Sequence, residues 1–275
     1  MTIVNAMANY LGAALGIDIH VKARARAEDG SGKIRAAIPD GSCGDTSLVN
    51  AAARVVLERF GPGKDLSVEV RSEIPVARGL KSSSAVSNAV VLACSSALGL
   101  KLPLVELVKM GVEAAFRAKV TVTGAFDDAS ASMLGGATVT DNKSLKLLRR
   151  FRVDGRLRVV LLVPPSQSFS GKVDVGKVKP LSEVLALAHS LALRKKLWIA
   201  MTLNGLACSD VFGCGGEAAL AALGAGALGA GLSGKGPSVA AVVEEGGADR
   251  VREALEAFEG DLMVRGINNE RAKVS

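Results

Sequence analysis

Residues 75–85, PVARGLKSSSA, constrain this chain more than any other segment. They join an alternating apolar run, Leu66, Val68 and Val70, to Ser84–Leu98, a small and apolar stretch with helical spacing that stops at Gly99. A glycine, three serines and two cations, Arg78 and Lys81, therefore collect at a helix N-terminus. The first backbone N–H groups of a helix lack intrahelical partners, and its dipole favours negative charge there. Helix capping needs one hydroxyl and no glycine. The combination instead favours an anion site, with Ser82, Ser83 and Ser84 offering hydroxyls to phosphate or Mg²⁺.

The rest of the chain narrows the class. At 275 residues it can bury a substantial core without disulfides or metals. With 49% apolar and 22% charged residues it is globular rather than disordered. A net charge of +7 suits nucleic acid or an anionic substrate, but 3% aromatics argue against a base-stacking platform. Cys43, Cys94, Cys208 and Cys214 form no CxxC, and only His20 and His189 are available to join them, so no zinc site of known spacing is expected. Neither a signal-peptide pattern nor an apolar run of about 20 residues is present, so a reduced, cytoplasmic protein with no membrane partner is expected.

Ile17, Ile19 and Val21 alternate with charged residues and predict a strand, preceded by a glycine-interrupted loop over 8–18. Residues 29–32 are turn chemistry, after which 33–38 is expected to pair back as a hairpin. Asp45 or Thr46 is placed to cap a helix over 51–60 that stops at Gly61. Further helices are expected from Pro103 to about Lys119, and over 127–134, 181–200, 204–212, 217–223 and 248–258. Strands are expected over 137–140, 157–163, 238–243 and 261–266. The basic run Lys143, Lys146, Arg149, Arg150, Arg152, Arg156 and Arg158 reads as a connector, and a domain boundary is placed there, dividing the chain into 1–150 and 151–275. It has no interleaved aromatics, which argues against nucleic acid as a partner.

Three other places carry chemistry. Residues 229–236, GAGLSGKG, fall one position short of a Walker loop, because Gly236 stands where the Mg²⁺-binding Ser or Thr belongs. The string is either a flexible turn or a backbone cradle for an anion. Asp127 and Asp128 begin a helix and suit metal binding, proton transfer or capping. Asp18 shares a strand face with His20, Lys22, Arg24 and Arg26, which is either a solvated face or part of a substrate site. His189 and the cysteines read as packing residues.

The order Pro75-x-x-x-Gly79-Leu80-x-Ser82-Ser83-x-Ala85 resembles the central motif of the GHMP kinases, a family that holds ATP without a Walker loop. Lys81 replaces that motif's second glycine and Ser84 its first alanine. ANYLGAALGID near the N-terminus is similar to the family's first motif, and GLSGKGPSVAAV, residues 231–242, to its third. GDTSLVNAAA, RGLKSSSAVSNAVVLA, VTGAFDDASASMLGG and SGKGPS are similar to the archaeal shikimate kinase branch, whose departure at the position of Lys81 this chain shares.

The resemblance implies an α+β fold of two domains, the first like the second domain of ribosomal protein S5 and the second ferredoxin-like. It implies an ATP- and Mg²⁺-dependent small-molecule kinase acting on the 3-hydroxyl of shikimate. Homoserine kinase is the alternative within the family, and a non-catalytic RNA-associated protein the alternative outside it. By the same comparison Asp128 is the catalytic carboxylate. Pro75, Val76, Ala77, Arg78, Gly79, Leu80, Lys81, Ser82, Ser83, Ser84 and Ala85, with Ser233, Gly234 and Gly236, hold the nucleotide. Ser83 holds the metal, and Asn9, Asp18, Asp45, Thr46 and Asp127 approach the acceptor.

Overall fold

A computed structural model describes residues 1–39, 45–75, 78–166 and 175–274. Val76 and Ala77, assigned to the nucleotide, lie outside the described residues, as does Cys43. Three sheets organise the chain. The first has the order β1-β2-β6-β7, from Thr2–Val4, Leu11–Leu15, Ala137–Asp141 and Lys146–Phe151. The second has the order β3-β5-β4, from Val21–Asp29, Lys64–Ser72 and Ile34–Ala37. The third has the order β11-β8-β10-β9, from Asp261–Gly266, Leu157–Val163, Val239–Glu244 and Gly229–Leu232.

Two long-range pairings correct the sequence reading. β4 does not fold back on β3. It runs parallel to β5, which lies between them, with Ile34 opposite Leu66. The turn is held from outside instead: Asp65 accepts hydrogen bonds from the amides of Gly32 and Lys33 at 3.0 and 2.8 Å. Likewise, residues 11–15 are not a loop but a strand paired with β6 on one side and β1 on the other.

The middle of the basic connector, from Lys146 to Arg150, lies in a strand, β7. Arg150 donates to the carbonyls of Gly135, Leu134 and Asn269, tying the third and last parts of the chain together. Arg152, Arg156 and Arg158 pair with Glu270, Asp154 and Glu245. Much of the positive charge in this run is spent on the protein's own groups.

Helices α1 (Ser47–Phe60), α2 (Ser82–Ala97), α3 (Leu104–Arg117) and α4 (Phe126–Leu134) pack with the second sheet around Val55, Leu66, Val90, Val108 and Phe126. The α2 face is made of Ser, Ala and Val, so the helix can lie close to its neighbours. The expected helix over 181–200 breaks at 194–196. Beyond a short α5 (Val175–Val178) it becomes α6 (Ser182–Leu193) and α7 (Leu197–Ser209). α8 (Glu217–Gly224) and α9 (Ala248–Leu255) follow.

The third sheet with its helices has the strand order 4-1-3-2 of a β-α-β-β-α-β unit, the ferredoxin-like arrangement. A second apolar core joins Ile3, Leu15 and Val139 of the first sheet to Leu161, Ala200 and Val242 of the later half. That shared core fixes the two halves against each other at the mouth of α2. No helix among the described residues is long and apolar enough to cross a membrane.

Candidate active site

A cavity of about 500 Å³ opens at the N-termini of α2 and α4. Each helix starts from a residue in the left-handed region, Lys81 at φ 66° and Ala125 at φ 48°. Left-handed backbone costs a non-glycine residue roughly 1–2 kcal/mol, and such strain collects at functional sites. Lys81 occupies the position where the motif it resembles has glycine, a residue that adopts this conformation without strain.

The first bond inside α2 runs from the amide of Ala85 to the carbonyl of Lys81 at 3.3 Å. The amides of Ser82, Ser83 and Ser84 precede it and have no partner within the helix. All three serines line the cavity.

Lys81 reaches across to α4. Its Nζ lies 2.9 Å from Oδ2 of Asp128, whose side chain is 3% exposed. The other oxygen, Oδ1, is buried and makes no hydrogen bond among the described residues. A carboxylate with one oxygen paired to a lysine and the other unpaired has the chemistry to accept a proton. Burial acts against the Lys81 charge, but the carboxylates of Asp128 and Asp127 outweigh it and hold the ammonium above the usual lysine range.

Asp127 has different surroundings. Asn142 donates to its Oδ1 at 2.7 Å, and Thr140 donates to Oδ1 of Asn142 at 2.7 Å. The Asp127 amide donates to the same Asn142 oxygen at 3.2 Å, and Thr138 donates to its carbonyl at 3.1 Å. Gly12 packs against the carboxyl so tightly that a Cβ there would sit 2.6 Å from Cγ. Burial, then the neighbouring charge of Asp128, push its pKa up to about 7. It is fixed on one oxygen by neutral donors, whereas Asp128 is held by a cation.

The opposite wall is the loop from Ser233 to Ser238 between β9 and β10. Ser233 donates to the carbonyl of Gly79 at 3.0 Å, and the amide of Ser238 donates to the carbonyl of Arg78 at 3.2 Å. Gly79, at φ 83°, admits this contact because a Cβ would stand 2.5 Å from the Ser233 carbonyl. Asn5, which no sequence signal singled out, links three elements. Its amide bonds Oδ1 of Asn204 at 2.7 Å, and its Nδ2 donates to the carbonyl of Gly234 at 2.9 Å.

Of the residues expected at the site, Pro75, Gly79, Leu80, Lys81, Ser82, Ser83, Ser84, Asp45, Asp127, Asp128 and Gly234 line the cavity together. Others lie elsewhere. Arg78 turns away to the carbonyls of Pro164 and Ser166. Asn9 donates to the Ser182 carbonyl at 3.0 Å and accepts from the Leu11 amide at 3.0 Å, so its side chain is occupied in bracing the first loop. Asp18 lines an adjoining groove, which shares Leu80, Lys81 and Asp128 with the cavity, and pairs with His20 at 2.9 Å.

Thr46 accepts from Asn50 without capping α1, and Gly236 packs against Cys214 and Leu232. Ser233 does not line the cavity but bonds Gly79, and Ala85 lines the adjoining groove instead. His189 is buried with Nε2 3.1 Å from the Thr140 carbonyl, and burial pushes the Cys94 and Cys208 thiols up to about 12, which suits packing. Lys235 was not anticipated, yet it lines the cavity.

A helix N-terminus rich in hydroxyls, a buried lysine and a half-free carboxylate around one cavity are parts suited to phosphoryl transfer. The GHMP kinases N terminal domain family model matches residues 47–136, and the GHMP kinases C terminal model matches residues 217–261. A shikimate kinase of Methanosarcina acetivorans is 42% identical over 276 residues, covering 98% of this chain and 92% of that protein. The chain belongs to the GHMP kinase family.

This GHMP kinase is also 42% identical, over 267 residues, to a shikimate kinase of Pyrococcus furiosus, covering 96% of this chain and 95% of that one. Its fold superposes on a homoserine kinase from Cytophaga hutchinsonii with a TM-score of 0.74 at 19% identity, covering 98% and 92% of the two chains. A Lactococcus lactis galactokinase complexed with galactose gives 0.77 at 15% identity, covering 99% and 92%. Those structural matches show the shared fold.

Proposed function

We propose that this GHMP kinase transfers the γ-phosphoryl group of ATP to the 3-hydroxyl of shikimate, with Asp128 as the proton acceptor. The identity shared with shikimate kinases over nearly the whole chain supports the acceptor. The observation that carries the chemistry is Asp128, pinned through Oδ2 by Lys81 and free at Oδ1 beside the α2 N-terminus.

The transferring group passes through a largely dissociative transition state, so positioning and charge neutralisation supply most of the acceleration. The amides of Ser82, Ser83 and Ser84 would hold phosphate oxygens, and Lys81 would keep Asp128 aimed at the acceptor hydroxyl. The hydroxyls lining the cavity suit a Mg²⁺ ion that also binds phosphate oxygens, and Ser83 would be its ligand from the protein. Bound there, Mg²⁺ neutralises developing phosphate charge. A general base such as Asp128 contributes roughly 10²–10⁴-fold.

The test is ADP release with MgATP and, in turn, shikimate, homoserine, mevalonate and galactose. Turnover with shikimate alone is expected. Turnover with another acceptor and none with shikimate would keep the phosphoryl chemistry and reject the acceptor.

A further inference from the structure

We propose that Lys235 is the counter-charge for the phosphoryl group in transit, contacting the γ-phosphate of ATP from the wall opposite α2. The inference rests on the kinase reading above and adds a residue to it. Lys235 is 5% exposed, and its Nζ is buried with no hydrogen-bond partner among the described residues. An unpaired ammonium in such a place costs several kcal/mol in desolvation. Nothing among the described residues offsets that cost.

The charge of Lys81 repels it, and Oδ2 of Asp128 is already committed to Lys81. Burial, then Lys81, push its pKa down to about 8. No anion among the described residues pairs with it, and an anion bound in the cavity would supply the partner.

The position says which anion. Lys235 lines the same cavity as Lys81, Asp128 and the α2 serines. Its loop is bolted to the α2 turn by the Ser233–Gly79 and Ser238–Arg78 hydrogen bonds. The approach is so close that a Cβ on Gly234 would lie 2.8 Å from Nζ of Lys81. An anion bound in this cavity would share its lining with both lysines and Asp128, which is where the transferred phosphoryl group would pass.

During transfer the bond between the γ-phosphorus and the β–γ bridging oxygen breaks, and its electron pair stays on the β-phosphate of ADP. The acceptor oxygen forms the new bond to phosphorus and gives its proton to Asp128. Lys235 neither gains nor loses a proton. Its compact charge on a flexible stem can follow the phosphoryl group across.

The test compares wild type, Lys235→Met and Lys235→Arg by calorimetric titration with MgADP and with Mg-β,γ-imido-ATP, no acceptor present. In Lys235→Met, ADP affinity is expected to stay within about threefold while affinity for the imido analogue falls tenfold or more. Lys235→Arg is expected to recover part of that loss. Without nucleotide, Lys235→Met is expected to melt no lower than wild type, because it removes an unpaired buried charge.

With acceptor, kcat is expected to fall by about 10²-fold. Equal affinities of wild type and Lys235→Met for the analogue would overturn the inference, as would a rise confined to the acceptor KM. If Lys235→Met does not fold, an unchanged ratio of analogue to ADP affinity in Lys235→Gln overturns it. Because no acceptor is used, an incorrect acceptor assignment leaves this result intact. A wild type that binds no nucleotide defeats both readings.

Discussion

Lys81 and Lys235 face one cavity from opposite walls, and their charges are accounted for in opposite ways. Lys81, at the start of α2, has spent its charge on Asp128. Lys235, in the loop between β9 and β10, is buried with its Nζ unpaired. The same residue type is thus a positioning group on one wall and a waiting counter-charge on the other. The strain is distributed in the same way. Lys81 holds a left-handed backbone that glycine would adopt freely, and the ion pair offsets that cost. The wall of Lys235 keeps its glycines, so its backbone can approach Gly79 and Lys81 closely.

The largest effect should follow from removing the paired lysine. Lys81→Met leaves two buried carboxylates side by side with no cation between them. Breaking a buried pair costs about 3–5 kcal/mol, so Tm should fall on the order of 10 °C, and kcat by more than about 10²-fold. Melting in acid should recover much of the loss, since protonated carboxyls need no partner. If Lys81→Met and Lys235→Met lower Tm equally, the distinction between the two walls is wrong.

A smaller effect concerns Asp127. Its pKa is raised from 3.8 to about 7 by burial and by Asp128. Between those values the folded protein holds a proton that the unfolded chain has released. Its contribution to stability is therefore full below about pH 4 and is lost as pH rises through about 7. Asp127→Asn should flatten that slope in urea midpoints measured from pH 4 to 8. A slope unchanged by the substitution would remove Asp127 as its source.

What could be read in the sequence was local. β5, α3 and α4 announce themselves by alternation, helical spacing and Gly-Gly termination, and they lie within a residue or two of expectation. The α2 serines and Asp128 were legible because helix N-termini and adjacent carboxylates have intrinsic chemistry. Strands made by distant partners were not. β2 is hidden by its glycine, needed for the approach to Asp127, and β7 by outward-facing cations. The sequence of β4 suggests β3 as its partner, because its true neighbour, β5, comes nearly thirty residues later. Asn5 and Asn142 carry no local signal at all, since their roles exist only where three elements meet. Lys235 fits the lysine position of the near-Walker string, but Gly236 at the next position argues against that loop, so the sequence alone gives the lysine no role.

The most direct measurement is single-turnover phosphoryl transfer to shikimate by Asp128→Asn and Asp127→Asn, alongside nucleotide affinity for each. Asp128→Asn is predicted to lose roughly 10²–10⁴-fold in the chemical step while binding the imido analogue within a few-fold of wild type. Asp127→Asn, held by the same neutral donors, is predicted to lose much less. A chemical step unchanged in Asp128→Asn, or a larger loss in Asp127→Asn, would contradict the assignment of the proton acceptor.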